Sequence, residues 1–183
     1  SCEKIKYMFP KAHAAAYVTN AFRIAWFKVH QPKAYYAAYF TIRADEFDSD
    51  IMCYGKERVL NKMKEIDLAG NSATTKDKNM YAILELVLEM YERGINFLPI
   101  DLYKSHATKF IVEEEGIRPP LNSIPGLGTV AAEGIDLAKQ DGKFMSIDDM
   151  KIRSKIGKSV IELLDKVGCL KGMSQSNQMS LFG

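Results

Sequence analysis

The residues best placed to do chemistry in this 183-residue sequence begin with Phe9-Pro10-Lys11-Ala12-His13-Ala14-Ala15-Ala16-Tyr17. A lysine and a histidine stand there at the mouth of a predicted helix, where unpaired backbone N–H groups favour an anion. Phosphate is the ligand this arrangement suits. Arg23 and Lys28 fall on the same helix and extend the cationic side. By contrast, Ser105 and His106 are sequence neighbours without a third partner, so no nucleophile and base pair is proposed, and His30 and His106 read as structural.

A second constellation lies further on, in Leu121-Asn122-Ser123-Ile124-Pro125-Gly126-Leu127-Gly128, leading into a helix predicted over 129–140. This matches the helix-hairpin-helix pattern, hydrophobic-Pro-Gly-hydrophobic-Gly. Its glycines let a hairpin backbone approach a DNA phosphate while the next helix offers its first N–H groups. Gly126, Leu127, Gly128 and Thr129 are the candidate DNA contacts; a plain structural turn is the alternative. Arg153-Ser154-Lys155-Ile156-Gly157-Lys158 before a helix over 159–167 reads as a degenerate second copy. There Lys155, Gly157 and Lys158 are the candidates, with side-chain charge replacing one glycine. Such contacts read charge and shape, so duplex binding independent of sequence is expected.

The elements that must position these groups are mostly helical. Ala14, Val18, Ala21, Ala25, Trp26 and Val29 recur at three- and four-residue steps and predict a helix from Ala12 to about Gln31 with one apolar stripe, ended by Pro32. Lys33 to Arg43 reads as an aromatic helix packed on it, and Glu46 to Asp67 as one helix of mixed charge. Thr74 and Asp77 form a capping-box pattern ahead of a helix closed by Gly94. Ile95–Leu102 and Phe110–Val112 have short strand character, and the stretch from Glu113 to Pro120 marks a boundary. The fold class is mainly α: a helical segment with a small β element over 1–116, a tandem helix-hairpin-helix module over 117–171, and a flexible tail over 172–183.

Charge is unevenly spread. Residues 1–44 hold seven Lys/Arg against one acid, residues 45–116 nine against fifteen, and residues 117–183 nine against seven, although the whole chain is only +2. The first part therefore suits a polyanion, and the acidic middle reads as scaffold. Cys2, Cys53 and Cys169 are isolated, which supports neither a disulfide framework nor a zinc site. No apolar run is long enough to span a membrane and no signal peptide is evident, so a cytoplasmic location without a membrane partner is expected.

The run Y-M-F-P-K-A-H-A-A-A-Y, followed by A-F-R-I-A-W-F-K-V-H-Q-P-K-A-Y-Y-A-A-Y-F, resembles the fingers region of bacterial replicative DNA polymerase III alpha subunits, in their PolC-type branch. The resemblance runs across nearly the whole chain and implies a C-terminal piece of a much larger polymerase. It implies that Lys11 and His13, with Arg23 and Lys28, contact the incoming dNTP or template phosphates. The partner of the module would be primer-template duplex DNA. In this family three carboxylates of a palm domain hold two metal ions, Mg2+ by expectation, for phosphoryl transfer. That palm would lie upstream, so no catalytic residue and no metal ligand is assigned here and the segment alone should not synthesise DNA. The tail Gln178-Met179-Ser180-Leu181-Phe182 resembles the peptide with which bacterial polymerases hold the beta sliding clamp, Met179 replacing the usual leucine. Leu181 and Phe182 would fill an apolar pocket and Gln178 would orient the peptide. Two other readings remain open: a stand-alone helix-hairpin-helix adaptor without polymerase activity, and a helical protein-interaction domain.

Overall fold

The computed structural model describes residues 10–43 and 46–176. Helix α1 (Lys11–His30) runs to Gln31, and α2 (Pro32–Ile42) restarts at Pro32, whose fixed φ suits the first turn of a helix. The single helix expected over 46–67 is two. The Asp48 carboxylate accepts from the N–H groups of Asp50 and Ile51 to cap α3 (Ser49–Met52), and Gly55, at φ +98°, turns the chain into α4 (Lys56–Ala69). A left-handed residue cannot continue a helix, so the mixed-charge periodicity spanned a break it could not register. Ahead of α5 (Thr75–Glu92), Thr74 and Asp77 exchange the reciprocal hydrogen bonds of a capping box.

The β element is smaller than expected. β1 (Ile111–Val112) pairs antiparallel with β2 (Ile117–Arg118), Ile111 opposite Arg118, and the stretch 95–102 contributes only a bridge from Phe97 to Ile117. The turn between the strands occupies Glu113–Gly116, where a Cβ on Gly116 would collide with the Asn96 carbonyl oxygen. Arg118, only 6% exposed, locks this hairpin by pairing with both Glu113 oxygens and donating to the Pro99 carbonyl. The guanidinium hydrogen bond holds the Glu113 carboxyl below the usual glutamate range. The folded chain therefore binds fewer protons than the unfolded one, and this contribution to stability is lost as pH falls through the folded-state value. Thermal melts from pH 7 down to pH 3 should steepen below about pH 4.5. Glu113→Gln should flatten that limb; parallel curves for parent and variant would refute the assignment.

Two hydrophobic cores share the interior. Tyr36, Phe40, Val59, Leu84, Val87 and Met90 belong to the first, built from α2 to α5 with Phe97, Phe110 and Ile117. Leu121, Ile124, Leu127, Ile135, Met150 and Leu164 belong to the second, which joins α6 (Thr129–Ala138), α7 (Ile147–Ser154) and α8 (Lys158–Lys166). The segment between residues 95 and 121 feeds both, and Lys166 pairs with Asp50 at 2.9 Å across the seam. Cys53 and Cys169, both half-buried, are packed at this seam too, and burial raises both thiols, that of Cys169 to about 12. Among the described residues, no helix is long and apolar enough to cross a membrane.

Candidate nucleic-acid interface

The chain enters the first hairpin through Ile124-Pro125-Gly126-Leu127. The Leu127 N–H donates to the Ile124 carbonyl at 3.0 Å, and Gly126 takes φ +87°. Proline second and a left-handed glycine third make a type II turn, which no β-branched residue could replace at the third position. Leu127 is buried beneath the turn, while Gly126, Gly128 and Thr129 face outward. Gly128 then serves as N-cap of α6 with no side-chain cap, so the first N–H groups of that helix are left for an outside acceptor.

The second hairpin repeats this geometry 29 residues later. Gly126 corresponds to Lys155, Leu127 to Ile156, Gly128 to Gly157 and Thr129 to Lys158. Lys155 is left-handed, φ 54° and ψ 34°, and is the only non-glycine residue with positive φ among those described. Ile156 is buried as Leu127 is, and Gly157 caps α8 in the same extended conformation, again without a side-chain bond. The copy therefore keeps the backbone of the motif where the sequence keeps only one glycine. The packing repeats to within one residue of that offset. A Cβ on Gly126 would meet Leu163 of α8 at 3.3 Å, and one on Gly134 of α6 would meet the Ser154 carbonyl oxygen at 2.7 Å. Each hairpin thus leans on the helix that follows the other, which relates the two by a pseudo-twofold axis and turns both α6 and α8 N-termini outward.

Of the positions chosen for DNA contact, Lys155 and Lys158 are exposed, Lys158 with a loose partner in Glu162 at 3.7 Å. Arg153, adjacent in sequence, is instead a staple. It donates to the Ala138 and Gly142 carbonyls, pairs with Asp149 and lies over the Phe144 ring. Val130 is 84% exposed on the first turn of α6. The sequence reading missed Lys76. It lies in the part read as scaffold, yet it lines a groove of about 390 Å³ between the first turn of α5 and residues 124–129. The two carboxylates in that groove are occupied, Asp48 capping α3 and Glu46 accepting from Asn79 and Arg43.

The nucleotide candidates are separated from these hairpins in kind. Lys11, His13 and Arg23 are on exposed turns of α1, with the His13 ring against Tyr17 at 4.5 Å. Lys28 is engaged at the foot of the helix. Its ammonium pairs with Glu89 at 2.7 Å, and its carbonyl accepts from Arg93. Glu89 also accepts from Tyr36, and although burial raises its carboxyl, the bonds from Lys28 and Tyr36 prevail and lower it. His106 is structural as expected: its Nδ1 accepts from the N–H groups of Thr108 and Lys109. The predicted stripe of α1 does not become a core face, since none of its residues is buried. The clamp-peptide positions Gln178, Met179, Leu181 and Phe182 lie outside the described residues.

A family profile described as a helix-hairpin-helix motif matches residues 94–180, which contain both hairpins. Along its whole length the chain is 56% identical to a DNA polymerase III PolC-type protein of Clostridium perfringens and 53% identical to that of Bacillus subtilis, and similarly to one from Caldanaerobacter subterraneus, at 56%. It spans 13% of the length of each of these curated relatives. The chain is thus related, from one end to the other, to a segment of the PolC-type DNA polymerase III proteins, and a helix-hairpin-helix motif forms the second half of that segment.

Proposed function

We propose that this chain is a segment of a PolC-type replicative DNA polymerase, that its tandem hairpins grip duplex DNA, and that its first helix helps to place the incoming nucleotide. The observation that carries the reading is a pair of glycines the fold does not require. Gly128 and Gly157 occupy equivalent places, both with negative φ, and a Cβ would find open space at Gly128 and nothing nearer than 4.0 Å at Gly157. Neither packing nor backbone conformation demands glycine there. A phosphate approaching the N–H groups behind them would, because any side chain would stand between it and the helix. Lys155, Lys158 and, for the first hairpin, Lys76 supply the compensating charge.

In this reading the module neutralises phosphates on the duplex without touching base edges, which suits an enzyme that must hold every sequence equally. Lys11, His13 and Arg23 meet the triphosphate, and Lys28 holds the helix that carries them. The metal-dependent chemistry, with Mg2+ as the expected ion, belongs to carboxylates outside this chain, so the segment positions substrate and does not catalyse alone. The tail from Gln178 to Phe182 tethers the enzyme to the sliding clamp.

The Gly128→Val, Gly157→Val double variant tests the grip. Its fold should survive, because both sites accept a side chain at a cost of about 1 kcal/mol each for a poorer N-cap. Its affinity for a primer-template duplex at low salt should fall at least about tenfold, a loss of about 1.4 kcal/mol. A folded variant that binds like the parent would overturn the reading.

A further inference from the structure

α1 carries an apolar surface that nothing in the described residues covers. Tyr17 and Phe22 are 67% and 73% exposed, and Val18, Ile24, Trp26, Phe27 and Val29 are each more than half exposed. At 100° per residue these positions fall on every side of the helix, not on one face. A helix at a solvent boundary keeps its large apolar groups in one stripe, and one that is apolar all round is buried. The foot of α1 is nonetheless held firmly by the Lys28, Glu89, Tyr36 and Arg93 network, so the remainder projects at a fixed angle as a rod about 30 Å long overall. A groove of about 430 Å³, lined by Ile24, Phe27, Ala34, Tyr35, Ala38 and Tyr39, runs along its junction with α2.

We infer that α1 is an interdomain key: in the longer polypeptide it inserts into an apolar cleft formed by the part of the same chain that lies outside this segment. This rests on the polymerase reading, since the relatives matched here are proteins of which the segment is 13%. The distribution of the apolar groups selects this occupant. A second copy related by a twofold axis would cover one face and leave the others wet. Single-stranded nucleic acid stacks on aromatic planes, and Val18, Ile24 and Val29 offer none. Only a concave surface encloses all seven side chains, and the basic foot paired to Glu89 sets the direction from which it is entered.

The test uses the intact PolC-type polymerase that contains this segment. Phe22→Cys, Val18→Cys and, as an exposed control, Leu68→Cys, whose parent side chain is 89% exposed, are pulsed with a maleimide and quantified peptide by peptide. The raised thiols of Cys53 and Cys169 keep their own signal low. Positions 18 and 22 should react at least tenfold more slowly than position 68, without DNA and at every protein concentration. Reaction at the control rate overturns the inference. So does protection that appears only with template-primer, which would mean bases, or only at high concentration, which would mean a second copy. Primer extension by the same preparations separates the two claims: an active enzyme with reactive positions 18 and 22 refutes the key and leaves the polymerase reading standing.

Discussion

Replacing Gly134 with valine is expected to cost the chain about 3 kcal/mol and to lower its melting temperature by about 6–12 °C. The reason is the closeness of α6 to the second hairpin: even a Cβ at this position would lie 2.7 Å from the Ser154 carbonyl oxygen. That oxygen belongs to backbone at the end of α7, directly before the left-handed Lys155, so it cannot swing aside as a flexible side chain could. Relief requires α6 and α7 to separate, which opens the second core around Ile135 and Met150, both fully buried. The pseudo-symmetric partner makes a useful contrast. Leu163 fills the equivalent place on α8 against Gly126, so the module sets a large residue against a hairpin glycine on one side and a glycine against backbone on the other. Gly134→Val should therefore be far worse than a valine at Gly128, which meets no atom within 4 Å. Thermal melts of the two variants beside the parent check this, and equal melting temperatures would mean that the close approach is not maintained in solution.

The second large effect has opposite signs in two measurements. Lys155→Gly should stabilise the chain by about 0.5–1 kcal/mol while weakening duplex binding. A non-glycine residue in the left-handed region gives up roughly 1–2 kcal/mol, part of which glycine returns to the unfolded chain as entropy. At Gly126 the first hairpin avoids this cost, whereas the second accepts it at the equivalent position and places an exposed ammonium there. Strain retained at one position of a repeated motif is accounted for when the side chain does something the backbone alone does not. In our reading it contacts a phosphate, so its loss should reduce the slope of log Kd against log salt by about one. A Lys155→Gly variant that melts higher and binds DNA as well as the parent would leave the lysine without that role.

How much of this was legible in the residues depends on which physics each element obeys. The helix limits of α1, α2 and α5 follow from Pro32, from the Thr74 and Asp77 cap and from Gly94, all local signals, and each lies within two residues of its expected place. The first hairpin was equally readable, because Pro125 and Gly126 specify a type II turn on their own. The second was readable only as a degenerate copy. A lysine in a left-handed conformation gives no sequence signal, and the backbone equivalence of Lys155 to Gly126 emerges only from its φ and ψ and from the contact each hairpin makes with the helix that follows the other. Lys76 was hidden for a similar reason: the average charge of residues 45–116 is acidic, yet one lysine of that segment faces the hairpin across a groove. The stripe expected on α1 failed differently. Its three- and four-residue spacing is real, but Tyr17, Ile24 and Phe27 lie off it, and a periodicity argument that selects the stripe overlooks the apolar groups between.

The Glu113 and Arg118 pair illustrates what sequence reading gives up at a turn. A run of three glutamates followed by glycine and prolines looks like a linker. It is the tip of a hairpin, with one of those acids fixed to a nearly buried arginine that also reaches the Pro99 carbonyl. The turn thereby ties the helical first core to the loop that leads into the second, and the hairpins inherit their position from it.

The most direct test of the central claim is the salt dependence of duplex DNA binding by this chain, measured on two duplexes of unrelated sequence beside the Gly128→Val, Gly157→Val variant. Two hairpins with their lysines imply at least about four phosphate contacts, so log Kd should rise with log salt at a slope of about 3.5 or more. The slope and affinity should be the same for both sequences, and the variant should bind more weakly on each. Binding that discriminates between the sequences, or that ignores salt, would contradict a phosphate grip by the tandem hairpins.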